Sequence, residues 1–149
     1  MQTRQISIFL ENKPHQLSAI CRTLADAGVN IATLSLADTS DFGIARLIVS
    51  DSDTAQKVLV DAGHAVNVCA VVAVCVPNRP GGMAGVMDVL DAAGVNIEYS
   101  YAMDIDKMDG EAVLVFRFSD NQKADAALKA AGYAMMDEDT ISKLSKQNP

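Results

Sequence analysis

The chain has 149 residues, a length that suits one domain or two small ones, and half of its residues are hydrophobic, enough to build a buried core. Its 12 basic and 19 acidic residues give a net charge of −7, which disfavours binding to the phosphates of nucleic acid. The longest apolar run, Val68–Val76, is far shorter than the roughly 20 residues of a membrane span, so it is predicted to be a buried strand.

Ile6–Leu10 is too short for the apolar core of a signal peptide, so we expect a cytoplasmic protein with no membrane partner. The three cysteines, Cys21, Cys69 and Cys75, lie among apolar residues and are expected to be small buried side chains. Two histidines and the lack of a CxxC motif leave no metal-ligand spacing, and we expect no metal and no cofactor.

The clearest pattern is an internal repeat. Matching segments lie 66 positions apart: Asn12-Lys13-Pro14 with Asn78-Arg79-Pro80, and Gly28–Ile31 with Gly94–Ile97. Ser50-Asp51 recurs as Ser119-Asp120 at 69 positions, so the second copy carries a three-residue insertion, placed around Ile105–Gly110. Two copies of one unit of roughly 65 residues explain this similarity.

Hydrophobic periodicity predicts the same elements in each copy. The predicted strands are residues 6–10, 30–38, 43–49 and 65–69, then 71–76, 96–104, 111–118 and 133–136. The first helix of each copy has an apolar stripe: Leu17, Ile20, Cys21 and Leu24, then Met83, Val86, Met87 and Leu90. Asp51 and Asp120 are predicted to cap the second helices, and the predicted hairpin loops are Thr39–Phe42 and Asp106–Gly110.

The order β-α-β-β-α-β is that of ferredoxin-like folds. We therefore predict an α+β protein of two ferredoxin-like units docked side by side, with an antiparallel sheet of about eight strands and the helices on one face. The first unit is predicted to span residues 1–69 and the second 70–137, without a linker. Residues 138–149 are predicted to form a polar tail or a short helix.

Asn78-Arg79-Pro80-Gly81-Gly82-Met83 before a helix and Gly94-Val95-Asn96-Ile97 after it resemble the ACT domain, a small-molecule-sensing module of amino-acid metabolism. The motifs are similar to those in the regulatory domain of phosphoglycerate dehydrogenase. The resemblance covers both copies, about residues 5–136, and the whole chain is similar to stand-alone tandem ACT proteins. It is less similar to the small regulatory subunit of acetolactate synthase.

The resemblance implies a non-catalytic regulatory protein that binds a free amino acid, or a related small molecule, at an interface between ACT units. One implied site combines the strand Ala32–Leu36 with Asn78, Pro80, Gly81, Gly82, Met83 and Asn96. The second combines the strand Glu98–Ala102 with Asn12, His15, Gln16, Leu17 and Asn30. The residue types suit such a ligand, because a helix N-terminus attracts a carboxylate and asparagine amides can both donate and accept hydrogen bonds.

Structural roles remain open for the same residues. Asn12 and Asn78 can instead shape their turns through backbone hydrogen bonds, and Asn30 and Asn96 can satisfy carbonyls at a helix end. Met83 can be a core residue of its helical stripe. His15 stands where the second copy has Gly81, which puts the first site in doubt and favours the second.

The resemblance also implies an enzyme of amino-acid metabolism as a partner and a homodimer as the assembly. The alternative is an interaction module, similar to the small subunit of acetolactate synthase, that docks on an enzyme without binding a ligand itself.

Overall fold

The computed structural model describes residues 2–38, 41–103 and 110–146. Its elements, in chain order, are β1 (Thr3–Glu11), α1 (Gln16–Asp26), β2 (Ile31–Asp38), β3 (Phe42–Val49), α2 (Ser52–Asp61), β4 (Ala65–Pro77), α3 (Gly82–Ala93), β5 (Ile97–Met103), β6 (Glu111–Phe118), α4 (Asn121–Ala130), β7 (Met135–Met136) and α5 (Glu138–Lys146). Half of the predicted hairpin loop Thr39–Phe42, most of the loop Asp106–Gly110 and the predicted insertion up to Asp109 lie outside the described residues. Within the described segments, no helix is long and apolar enough to cross a membrane.

The chain divides into two compact units. The first-copy unit comprises Arg4–Cys69 and Ile141–Pro149, and the second-copy unit comprises Ala70–Thr140 and Met1–Thr3. Strand β4 is continuous through the boundary at Cys69 and Ala70. The two strands predicted at 65–69 and 71–76 are therefore a single strand of 13 residues.

The first-copy unit has the order β2-β3-β1-β4. Strand β1 pairs antiparallel with β3, with Ile8 opposite Ala45, and β2 pairs antiparallel with β3, with Leu34 opposite Leu47. The last strand of the motif therefore lies beside the first, as a split βαβ unit requires. This confirms the predicted ferredoxin-like fold for the first copy.

The second-copy unit repeats this order with β5-β6-β4 and with β7 paired to β4. All three pairings are antiparallel, with Val74 opposite Leu114 between β4 and β6 and Tyr101 opposite Val115 between β5 and β6. The ferredoxin-like prediction is confirmed for this copy as well.

Each unit has its own hydrophobic core, and the predicted helical stripes supply it. In α1, Ile20 and Leu24 are fully buried, and in α3 Val86 and Leu90 are at most 1% exposed. Burying one such side chain contributes about 1.5–3 kcal/mol, so these stripes hold the helices on their sheets. The alternative that Met83 is a core residue is wrong, because Met83 lies in the first turn of α3 and is 40% exposed.

The helices of each unit begin in two different ways. Asp51 and Asp120 accept the backbone N–H groups of Thr54 and Lys123 at 3.1 and 3.0 Å, so the predicted caps of α2 and α4 are confirmed. The residue before α1 is His15, and its side chain forms no capping hydrogen bond. Helix α3 follows Gly81, which has no side chain to offer.

Gly82 opens α3 in close contact with the strand before it. A Cβ at this position would lie 2.0 Å from the carbonyl oxygen of Pro77, and Gly82 is buried. The backbone of Gly82 fixes the position of the Cβ, and the oxygen belongs to the backbone of Pro77, so the contact cannot be relieved by rotating a side chain. Glycine is therefore required where β4 turns into α3.

We predict that Gly82→Ala destabilises the protein by about 2–3 kcal/mol, because the new methyl group forces the turn apart. Gly85→Ala is the matched control within the same helix, since its Cβ would meet only the hydroxyl of Tyr133, at 2.8 Å. This control should be near neutral, because the helix preference of alanine over glycine, about 1 kcal/mol, offsets the cost of moving the Tyr133 hydroxyl. Urea unfolding of both variants measures the difference, and equal losses of stability would contradict the role of Gly82.

Candidate functional site

The loop of residues 78–83, which includes the first two residues of α3, carries five of the predicted site residues. The backbone N–H of Asn78 donates to the carbonyl of Gly110 at 2.9 Å, and that of Gly82 donates to the carbonyl of Arg79 at 3.0 Å. These two bonds fix the loop against the start of β6 and tighten its turn into the helix. Gly82 is buried. The other residues of the loop are exposed to solvent: Asn78, Arg79, Pro80, Gly81 and Met83.

The start of α3 is suited to bind an anion. The first N–H groups of a helix have no acceptor within the helix, and the helix dipole adds partial positive charge there. No side chain caps α3, and its first turn contains no acidic residue. Arg79 is exposed and forms no ion pair with any described residue, so it adds a full positive charge beside the helix end.

The equivalent loop of the first copy, residues 12–17, has the same backbone path. Asn12 donates its backbone N–H to the carbonyl of Asp41 at 3.0 Å, as Asn78 does to Gly110. His15 has φ 73° and ψ −6°, and Gly81 has φ 85° and ψ −9°. His15 is the only described residue other than glycine with a positive φ. The repeat therefore imposes a left-handed conformation that histidine adopts at a steric cost.

The electrostatics of the two loops differ. Lys13, which corresponds to Arg79, forms an ion pair with Glu11 at 2.8 Å between Nζ and Oε2. Pro77 stands in the place of Glu11 in the second copy, so Arg79 has no such neighbour. The positive charge of Arg79 in the second loop is thus unpaired among the described residues, whereas that of Lys13 in the first loop is largely offset by Glu11.

The structure does not bring Asn96 to the Asn78 loop within the second-copy unit. Strand β5 runs parallel to β4, because both are antiparallel to β6, so the start of β5 and the end of β4 lie at opposite ends of the unit. The eight residues of β6 separate them by about 25 Å. Asn12 and Asn30 are separated in the same way by β3 in the first-copy unit.

A serine that was not singled out as a functional residue holds each of these distant asparagines. The backbone N–H of Asn30 donates to Oγ of Ser50 at 2.9 Å, and that of Asn96 donates to Oγ of Ser119 at 3.2 Å. Each serine returns a backbone hydrogen bond to the asparagine carbonyl. The repeated Ser-Asp pair contains this signal, because its serine bonds to the asparagine and its aspartate caps the helix that follows.

The two asparagines differ in their side chains. Nδ2 of Asn30 donates to the carbonyl of Ser145 in α5 at 2.6 Å, so Asn30 does satisfy a helix-end carbonyl, although of a helix far away in the sequence. Asn96 is exposed, and its side chain forms no hydrogen bond with a described residue.

Cys75 and Asp125, two groups whose pKa values are clearly shifted, lie outside the loop of residues 78–83, and their surroundings indicate structural roles. Burial, and then the nearby carboxylate of Glu111, raise the pKa of the Cys75 thiol, which keeps it protonated at neutral pH. Burial alone would raise the pKa of Asp125, but hydrogen bonding to Lys129 helps to hold it below its ordinary value. Cys21 and Cys69 are half-buried rather than buried. In the described part of the chain, no three His, Cys, Asp or Glu residues are grouped to bind a metal ion.

A family model described as an ACT domain pair matches residues 1–145. The chain belongs to the ACT domain pair family. This membership supports a regulatory role, and the two ferredoxin-like units are its two ACT domains. No curated protein matches the chain.

Solved structures share this fold. Protein BT0572 from Bacteroides thetaiotaomicron is 40% identical, with a TM-score of 0.90 over 97% of this chain and 98% of that one. The regulatory subunit of aspartate kinase from Thermus thermophilus, in its ligand-free form, is 20% identical, with a TM-score of 0.60 over 86% and 89%. Aspartate kinase from Synechocystis is 24% identical, with a TM-score of 0.54, over 87% of this chain and 26% of that one.

The left-handed conformation at His15 generates a stability prediction. We expect His15→Gly to stabilise the protein by about 0.5–1 kcal/mol, because removing a cost of roughly 1–2 kcal/mol outweighs the greater flexibility of glycine in the unfolded chain. His15→Ala keeps a Cβ at the same φ and serves as the control, with no gain expected. Urea unfolding measures both, and a gain for alanine equal to that for glycine would argue against backbone strain.

Proposed function

We propose that this protein is a non-catalytic regulator that binds a free amino acid, or a closely related small metabolite, at the loop of residues 78–83. The observation that carries the proposal is the exposed Asn78 and Arg79 beside the uncapped N-terminus of α3. Membership of the ACT domain pair family supports a regulatory role for such a site.

Each part of the loop suits a part of the ligand. The ligand carboxylate would accept the N–H groups of the first turn of α3, where the helix dipole favours negative charge. Gly81 has open space where a Cβ would stand, so a ligand can approach the backbone closely. The amide of Asn78 has both a donor and an acceptor, and its oxygen can accept a hydrogen bond from the ligand ammonium.

The second loop is the stronger site in this proposal. The first loop presents an imidazole at His15 in place of Gly81, and its Lys13 is paired with Glu11. Gln16 and Leu17 also replace the small Gly82 and the exposed Met83. The first loop therefore offers less positive charge and less open backbone to a carboxylate.

A ligand that contacts both kinds of asparagine needs a second ACT unit, because Asn78 and Asn96 lie at opposite ends of one unit. We propose that the protein is a homodimer and that the second chain supplies the distant asparagine, Asn30 or Asn96. A ligand held in this way would change the strength of subunit association, which is how binding at such a site can produce a signal.

We further propose that the protein acts in the cytoplasm on an enzyme of amino-acid metabolism. The support is family membership, together with a fold shared with a regulatory subunit of aspartate kinase. The ligand would change the affinity of this protein for its enzyme, and the enzyme would change the affinity for the ligand by the same factor.

The alternative is a docking module that binds no ligand. It is favoured by two exposed aromatic residues, Phe9 on β1 and Phe42 on β3, which are 55% and 63% exposed. They lie on the same sheet face, because Phe9 is opposite Ile44 and Phe42 is two residues from Ile44. A calorimetric screen of the standard amino acids, followed by purification with native partners, separates this module from a ligand-binding regulator.

We predict that one or a few amino acids bind in this screen and that Asn78→Ala weakens the binding by roughly 1–3 kcal/mol, because a buried ligand charge loses its polar partner. Asn12→Ala changes the equivalent residue of the first loop and should have a much smaller effect. Unchanged affinity in a folded Asn78→Ala variant would remove this residue from the site. Failure of every amino acid to bind would favour the docking module.

A further inference from the structure

Helix α5 is attached to the first-copy unit through Asn30 and Ser50. Oγ of Ser142 donates to the carbonyl of Ser50 at 2.6 Å, and Nδ2 of Asn30 donates to the carbonyl of Ser145 at 2.6 Å. Ile141, at the start of this attached half, is only 1% exposed. The second half of the helix is therefore fixed by one buried apolar side chain and two short hydrogen bonds.

The hydrogen bonds form a closed ring. Asn30 and Ser50 are joined by two bonds, Ser50 accepts from Ser142, Oγ of Ser145 donates to the carbonyl of Ser142, and the carbonyl of Ser145 accepts from Asn30. The last carbonyls of a helix have no partner within the helix and carry partial negative charge. Asn30 satisfies one of them, so its side-chain amide acts as a cap for the C-terminal end of α5.

The opposite end of α5 is capped independently. A carboxylate oxygen of Asp137 accepts the backbone N–H of Thr140 at 2.8 Å, and Glu138 and Asp139 lie in the first turn. The N-terminal half of the helix thus remains favourable without the contact to Asn30. Loss of that contact would free the second half of α5 and leave its first turn in place.

The second copy lacks this arrangement on its equivalent residues. Asn96 and Ser119 form the same backbone pair as Asn30 and Ser50, but Ser119 is exposed whereas Ser50 is buried. The side-chain amide of Asn96 is available to a ligand, whereas that of Asn30 is engaged by α5. The C-terminal helix therefore makes the two copies unequal at the end of the unit away from the loops.

We propose that α5 is an autoinhibitory latch that competes with the amino-acid ligand for the side chain of Asn30. This inference rests on the proposed function, in which Asn30 or Asn96 completes a site. A ligand carboxylate and the carbonyl of Ser145 are both acceptors for the same amide donor. Docked α5 weakens binding of the ligand at Asn30, and the bound ligand releases α5 by the same factor.

The first arm of the test uses no ligand and follows amide hydrogen exchange in α5 of the full-length protein. Ser142→Ala removes the bond to Ser50, and we expect it to speed exchange in the second half of α5 by roughly threefold to tenfold. Lys143→Ala is the control within the same half of the helix, because Lys143 is exposed and takes no part in the ring of hydrogen bonds. Asn30→Ala should speed exchange like Ser142→Ala, and Asn96→Ala should not. Unchanged exchange in both Ser142→Ala and Asn30→Ala overturns the latch.

The second arm repeats the exchange and the calorimetry with the amino acid identified by the screen. We expect the ligand to speed exchange in α5 of the wild type, and Ser142→Ala to tighten binding at the site that uses Asn30 by a similar roughly threefold to tenfold factor. Binding that depends on Asn78 but is unaffected by Ser142→Ala overturns the latch and leaves the proposed function intact. Failure of all amino acids to bind overturns both the competition and the proposed function, whereas the first arm still reports whether Asn30 holds α5.

Discussion

Each copy of the repeat passes from its first strand to its first helix through one residue in a left-handed conformation, and the candidate site depends on this constraint. A positive φ at Gly81 or His15 turns the chain so that the helix begins without a capping side chain. Apart from that of Gly82 in α3, which donates to the carbonyl of Arg79, the first N–H groups of the helix are then available to a ligand. The second helix of each copy, capped by Asp51 or Asp120, has no such opening. The turn thus leaves the first helix of each copy without a side-chain cap, and the proposed site uses this difference.

The same backbone carries two different surfaces. In the second copy, Gly81 meets the left-handed requirement without a side chain, and Gly82 allows the helix to start against Pro77. Arg79 forms no ion pair with a described residue, whereas Lys13 is paired with Glu11. In the first copy, His15 adopts the strained conformation. The duplicated fold therefore provides two similar scaffolds, and small changes at equivalent positions concentrate the features of the proposed ligand site in the second. Helix α5 increases the difference, because it is attached to Asn30, whereas the side chain of Asn96 forms no hydrogen bond with a described residue.

Much of the fold could be predicted because local sequence patterns determine its helices and strands. The apolar stripes of α1 and α3 and the capping aspartates each depend on residues close together in the sequence, and the repeat predicts the same elements twice. The structure confirms these predictions. The apolar run Val68–Val76 predicted a buried strand across the boundary, but the repeat predicted two separate strands there, and nothing in the run itself shows whether the strand ends or continues between the two copies. The attachment of α5 to Asn30 was equally hidden, because it joins residues 115 positions apart and uses a backbone carbonyl.

The candidate site was predictable in part for the same reason. The loop of residues 78–83 is contiguous in sequence, so its asparagine, glycines and helix start could be recognised together. The grouping of Asn78 with Asn96 did not follow, because strand direction places them at opposite ends of the unit. Exposure of Met83 was a further departure, since its helical stripe favours burial but its first-turn position lies beyond the core.

The most direct test of the account is a nuclear magnetic resonance titration of the isotope-labelled protein with the amino acid that binds most tightly. The account predicts that the largest amide shifts fall on Arg79, Gly81, Gly82 and Met83, with smaller shifts in residues 12–17. Shifts concentrated on the sheet face around Phe9 and Phe42, with the loop of residues 78–83 unchanged, would contradict it.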